Sequence, residues 1–126
     1  MVAKIYDCKI ERAIDGDSFI LMLNLGFDCF RSIRSRIKGM DTPETNSKDP
    51  EMKAKALEAK AQALKLNGTA AKATVYGLDN YGRYVVDLQT VKGDWAKVML
   101  DAGLATPVIM AFNEILHDCE SEEQPA

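Results

Sequence analysis

Within nine residues, Arg36-Ile37-Lys38-Gly39-Met40-Asp41-Thr42-Pro43-Glu44 offers a guanidinium, two carboxylates and a rigid proline turn. Pro43 fixes its own φ, lacks a backbone donor and pushes Thr42 out of the helical region. A strand ending near Asp41 would therefore hold two acids at its mouth. Carboxylate and carbonyl oxygens are the preferred ligands of a hard cation. The same residues can equally open an ordinary turn, since Asp and Pro favour turns in their own right. Two further stretches favour the chemical reading. Asp15-Gly16-Asp17-Ser18 is a turn with two acids, set between alternating apolar runs. Asp79-Asn80-Tyr81-Gly82-Arg83 is a second turn, delivering an aromatic ring and an arginine to the start of a strand. Together the three supply acids for a metal, one further acid for a base, and two planar cations. That inventory suits phosphoryl transfer, where catalysis is largely metal, positioning and cationic clamps on phosphate oxygens.

In order and spacing, these motifs resemble those of the staphylococcal nuclease (thermonuclease) family, over roughly residues 4–106. The resemblance implies an OB-fold and a nuclease site. Asp17 and Asp41 would be carboxylate ligands of one Ca2+, joined by the backbone carbonyl of Thr42, with Mg2+ or Mn2+ as substitutes. Glu44 would orient or deprotonate the attacking water. Arg36 and Arg83 would grip the scissile phosphate, a task for which the guanidinium fork is better shaped than an ammonium. Asp15 would support the turn and a metal-bound water. Tyr81 would touch the phosphate or line the nucleotide pocket, with core packing an equal alternative. The implied activity is that of a Ca2+-dependent endonuclease cutting DNA, RNA or both with little sequence preference. The competing class is a noncatalytic OB-fold module that binds nucleic acid or protein, and the full set of acids and arginines argues against it. Where the best-known family member carries tyrosines and a long basic helix near its end, this chain has Val108, Ile109, Ala111 and acids. Base stacking at that wall is not expected here.

Composition constrains the partners. The net charge is −3, awkward for an enzyme acting on a polyanion, but it is unevenly placed. Residues 114–126 contain Glu114, Asp118, Glu120, Glu122 and Glu123 with no Lys or Arg, so the rest of the chain carries +2. We therefore expect one domain over residues 1–117 and a solvated acidic tail over 118–126. His117 is read as a solvent-side residue. With no long apolar run, no membrane partner is expected. Three cysteines without metal-ligand spacing suggest reduced thiols, two of them in core strands, and a cytoplasmic chain. A monomer is the default.

The elements that must position these residues follow from periodicity. Strands are expected at Lys4 to Ile14, Ser18 to Leu23, Phe30 to Lys38, Thr69 to Tyr76 and Arg83 to Leu88. Arg31 and Arg34 on the third are read as ordinary surface charge. Asp49 and Pro50 open a helix whose apolar stripe is Met52, Ala56, Ala59, Ala63 and Leu66, closed by Asn67-Gly68. Asp94 caps a short second helix, and Thr106-Pro107 reads as the start of a third. The fold class is thus α+β, mainly β: a five-stranded OB-fold barrel with about three helices.

Overall fold

The computed structural model describes residues 3–108 of the chain. Three consecutive strands, β1 (Lys4–Asp15), β2 (Ser18–Asn24) and β3 (Phe30–Ile37), pair antiparallel. After a turn at Gly39 come the two-residue β4 (Met40–Asp41) and helix α1 (Pro50–Leu64). Then follow β5 (Ala70–Leu78), β6 (Tyr84–Thr90), β7 (Gly93–Asp94), helix α2 (Trp95–Asp101) and β8 (Thr106–Pro107). The main sheet runs β3-β2-β1-β5-β6-β7, and a parallel pairing of β3 with β6 closes it. The result is a closed, mainly β barrel of five long strands with two helices among the described residues, the layout expected of an OB-fold.

That closing pair matters for the site. Its register sets Arg36 opposite Val85, so the end of β3 lies beside the turn that precedes β6. Lys38 extends the seam by donating its backbone N–H to the Val86 carbonyl at 2.8 Å. Inside the barrel, Phe19, Leu21, Ile10, Ile37, Val86 and Leu88 are buried. Phe19 meets the ring of Trp95 edge-on, with centroids 6.1 Å apart. Each such side chain contributes about 1.5–3 kcal/mol by leaving water.

Helix α1 begins as expected, with the Asp49 carboxylate accepting from Glu51 N at 3.0 Å. Its stripe of Ala56, Ala59 and Ala63 is buried, and small residues there let the helix lie close to β1. Met52, in the first turn of α1, is exposed instead.

Several expectations are corrected. β3 does not run on to Asp41: Gly39, at φ +83°, turns the chain, and Met40 after it is buried in the core. In β1, bulges between Ile10 and Arg12 and between Ala13 and Asp15 shift the pleat, so Ala13 rather than Ile14 is buried. Helix α1 ends at Leu64, and Gly68 closes a separate turn three residues after the Lys65 cap. Asp94 stands at the N-cap of α2 without a side-chain capping bond. Thr106-Pro107 opens no helix; it pairs with β4, Met40 opposite Pro107 and Asp41 opposite Thr106. Of the cysteines described, Cys8 is buried, but Cys29 is exposed in the β2–β3 hairpin. The remainder of the expected third helix, His117, Cys119 and the acidic tail lie outside the described residues. Among the described residues, no helix is long and apolar enough to cross a membrane.

Candidate active site

The acidic turn between β1 and β2 is held from three sides. Trp95 donates its indole N–H to the Gly16 carbonyl at 2.9 Å, and Ile37 donates to the Asp17 carbonyl at 2.9 Å. Gly16 faces α1 so closely that an added Cβ would stand 2.7 Å from Ala59 Cβ and 3.0 Å from Thr42 Cγ2. Only glycine fits there. Asp17 is thereby aimed at the Thr42 segment, accepting from Thr42 N at 3.3 Å and from the Ser18 hydroxyl at 3.2 Å.

The other wall is built by the Gly39 turn and the β4–β8 pair. They bring Asp41 back toward Arg36, whose Nη2 lies 4.0 Å from Asp41 Oδ1. Asp15, Asp17, Arg36, Asp41, Thr42, Glu44 and Arg83 line one cleft of about 240 Å³. The structure thus gathers seven of the eight candidate residues from three separate stretches. Tyr81 is the exception. It is 78% exposed, which excludes core packing, and stands just outside the cleft with its ring 5.3 Å from the Arg83 guanidinium.

Arg83 depends on a residue whose role the sequence reading missed. Asp79 accepts from Tyr81 N at 2.8 Å, from Arg83 N at 2.9 Å and from Arg83 Nε at 2.9 Å. Its side chain is 2% exposed. Burial alone would raise its pKa, but hydrogen bonds from the Arg83 and Tyr81 backbone, with the Arg83 charge, outweigh that and hold it below 3.8. Asp79 therefore stays ionised and fixes the turn and the guanidinium together. The signal was present as an Asx turn four residues ahead of an arginine. Trp95, the first residue of α2, likewise holds the acidic turn through its indole N–H.

Electrostatically the cleft is acidic, with four carboxylates against two guanidinium groups. Burial, a hydrogen bond with Asp17 and the charge of Asp17 raise the pKa of Asp41, with Arg36 opposing. Asp15 is raised as well, first by burial and then by Asp17. Crowded acids of this kind are an environment that a divalent cation relieves. Among the described residues, no three His, Cys, Asp or Glu side chains form a complete metal cage. Asp17 and Asp41 are hydrogen-bonded to each other in this cleft, and a hard cation, which prefers carboxylate, carbonyl and water oxygens, could be held between them.

A family model described as staphylococcal nuclease homologue matches residues 34–124. The chain belongs to that family. The matched stretch contains Arg36, Asp41, Thr42, Glu44, Tyr81 and Arg83, while Asp15 and Asp17 precede it and reach the cleft through the β1–β2 turn. No curated protein matches the chain closely enough to add to this assignment. Staphylococcal nuclease homology goes with a nuclease-type, nucleic-acid-binding barrel.

Proposed function

We propose that the protein is a Ca2+-dependent endonuclease that hydrolyses phosphodiester bonds of DNA or RNA with little sequence specificity. The observation that carries this reading is the convergence of four acids and two arginines in one cleft. A module that only bound nucleic acid would gain nothing from four carboxylates where a phosphate must sit, since they repel it. Asp17, Asp41 and the Thr42 carbonyl would hold the cation, which supplies charge to offset those acids and polarises a phosphate oxygen. Asp15 supports the turn that aims Asp17.

The steps follow from the chain's own groups. Arg36 and Arg83 grip the phosphate oxygens and offset the charge that grows on them as the attacking oxygen approaches phosphorus. Glu44, exposed on the cleft wall, accepts a proton from the attacking water. The P–O bond opposite the attacking oxygen breaks, and the departing oxygen takes a proton from solvent. Low sequence preference follows, because every group named here addresses a phosphate and none addresses a base edge. We place the activity in the cytoplasm, on a monomeric domain.

The test is digestion of single- and double-stranded DNA and RNA with Ca2+, Mg2+ or Mn2+ and with EDTA, comparing Glu44→Gln with the wild type. Metal-dependent cleavage that falls by about 10²–10⁴ in Glu44→Gln is expected. Turnover in EDTA, or full turnover in the mutant, would refute the assignment.

A further inference from the structure

Between the candidate phosphate grip and the candidate metal ligand lies Lys38, two residues after Arg36 and three before Asp41. It does not line the cleft. Its backbone N–H ends the β3–β6 seam on the Val86 carbonyl, and its ammonium reaches a residue of β5. Lys38 Nζ stands 4.2 Å from the centroid of the Tyr76 ring, closer than Arg31 over Tyr84 at 5.8 Å or Arg83 over Tyr81 at 5.3 Å. Tyr76 owes its place to an irregularity in β5. Val75 pairs with Val86 and Gly77 with Val85, so Tyr76 is the extra residue of a β-bulge. Bulges re-aim a side chain and recur beside active sites. The Tyr76 hydroxyl donates to Asp87 Oδ2 on the adjoining β6. Burial, then the hydrogen bond and charge of Asp87, push its pKa up to about 12, so the phenol stays a donor at neutral pH. Donation to a carboxylate also enriches the ring that faces the ammonium.

We infer that Tyr76, aimed by the bulge and pinned by Asp87, is a positioning residue that clamps Lys38 and so fixes the spacing of Arg36 and Asp41 across the Gly39 turn. This deepens the proposed function and rests on it, because Arg36 must grip the phosphate and Asp41 must hold the cation. The need for a clamp is local. Gly39 stands at φ +83°, and a turn glycine leaves the chain a freedom that its neighbours must remove. On the far side, Met40 is buried, β4 pairs with β8, and Val108 donates to the Gly39 carbonyl at 3.0 Å. On the near side, the side-chain anchor is Lys38 on Tyr76. With both sides held, Arg36 Nη2 stays 4.0 Å from Asp41 Oδ1, where the arginine and a cation can address one phosphate. Lys38, one of several basic residues crowded at this end of the chain's third strand, thus serves the turn and not the substrate.

The experiment compares wild type with Lys38→Met, Lys38→Arg, Tyr76→Leu, Tyr76→Phe and the double mutant Lys38→Met, Tyr76→Leu. Arg31→Gln, which frees a different ring, is the control. Two readouts are taken on the full chain: amide hydrogen exchange without metal, and turnover on single-stranded DNA at saturating Ca2+, below every variant's melting temperature. Losing the cation–ring contact should speed exchange at the Lys38 and Val108 amides by about tenfold, with the β1–β2 amides unchanged. In Lys38→Met and Tyr76→Leu, kcat should fall by about tenfold or more while KM holds, because neither side chain touches substrate. The double mutant should be no worse than either single change, since both break one contact. Lys38→Arg should recover wild-type values, because a guanidinium also stacks on a ring, and Tyr76→Phe should lie between. Full kcat in Lys38→Met or Tyr76→Leu, additive losses in the double mutant, a rise in KM in place of the fall in kcat, or an equal loss in Arg31→Gln would overturn the inference. If no chain cleaves DNA, exchange decides alone. Faster exchange confined to Lys38 and Val108 then upholds the clamp and refutes only the proposed hydrolysis, whereas unchanged exchange refutes the clamp.

Discussion

Asp79→Asn isolates the support of the second arginine from the arginine itself. Asparagine keeps the size of the side chain and one carbonyl oxygen for the two backbone N–H groups. It removes the charge, and its amide N–H₂ cannot accept the Arg83 Nε–H that Asp79 Oδ2 now takes at 2.9 Å. Hydrogen bonds to charged groups contribute about 1.5–3 kcal/mol each. Arg83 can turn to solvent once released, because its side chain is already 23% exposed. The low end of that range applies, about 2 kcal/mol. For a domain of this size the melting temperature should fall by roughly 6–10 °C. The catalytic effect is separable from it. Arg83 remains in place chemically but is no longer held, and a misplacement of about 1 Å costs on the order of 10²-fold in rate. The assay pairs thermal melts with turnover on single-stranded DNA, measured well below the melting point, in wild type, Asp79→Asn, Arg83→Gln and the double mutant. The two changes should be far from additive in rate, since Asp79 acts through Arg83. Stability adds a pH signature. A lowered folded pKa makes the contribution of Asp79 complete above its ordinary value of 3.8 and lost as pH falls through the folded value. The gap between mutant and wild type should thus be full at neutral pH and close in acid. Additive rate losses in the double mutant would refute the positioning role.

Three other perturbations test the frame around the cleft. Gly16→Ala places a Cβ 2.7 Å from Ala59 Cβ, so the acidic turn must shift; it should destabilise by about 1–3 kcal/mol and weaken the Ca2+-induced rise in melting temperature, which an unmoved calcium titration would contradict. Asp41→Asn acts in the opposite direction on the metal-free protein. The raised pKa of Asp41 means its stabilising protonated form is present below 3.8 and lost as pH rises through the folded value. The mutant should therefore melt higher than wild type at pH 7 without metal, converge with it in acid, and gain less from Ca2+; equal melts at pH 7 would count against crowding of the acids. In the hairpin, Phe27 is fully exposed at φ +56°, a conformation costly for a bulky L-residue. Phe27→Asn should stabilise by about 1 kcal/mol, and a lower melting temperature would show that the ring makes contacts of its own.

The sequence by itself determined the local chemistry and most of the elements. Alternation placed all five long strands, Asp49-Pro50 placed the start of α1, and the three motifs named the acids and arginines that line the cleft. These features are legible because each depends on neighbours within a turn or a strand period: capping, proline's fixed φ, and the two-residue pleat. What lay beyond the sequence depended on contacts between distant segments. That Arg36 and Arg83 share a cleft follows from the parallel β3–β6 closure, and no local pattern encodes that register. The bulges of β1, which bury Ala13 in place of Ile14, belong to its pairing with β2 and appear only once the two strands are set side by side. Thr106-Pro107 carries a strong local helix-start signal, yet its neighbour in space is β4, and pairing there outweighs the local preference. Gly16 looked like a turn glycine in sequence. Its physical reason is the approach of Ala59, 43 positions away along the chain, and such a distance becomes a contact only when the barrel closes against α1.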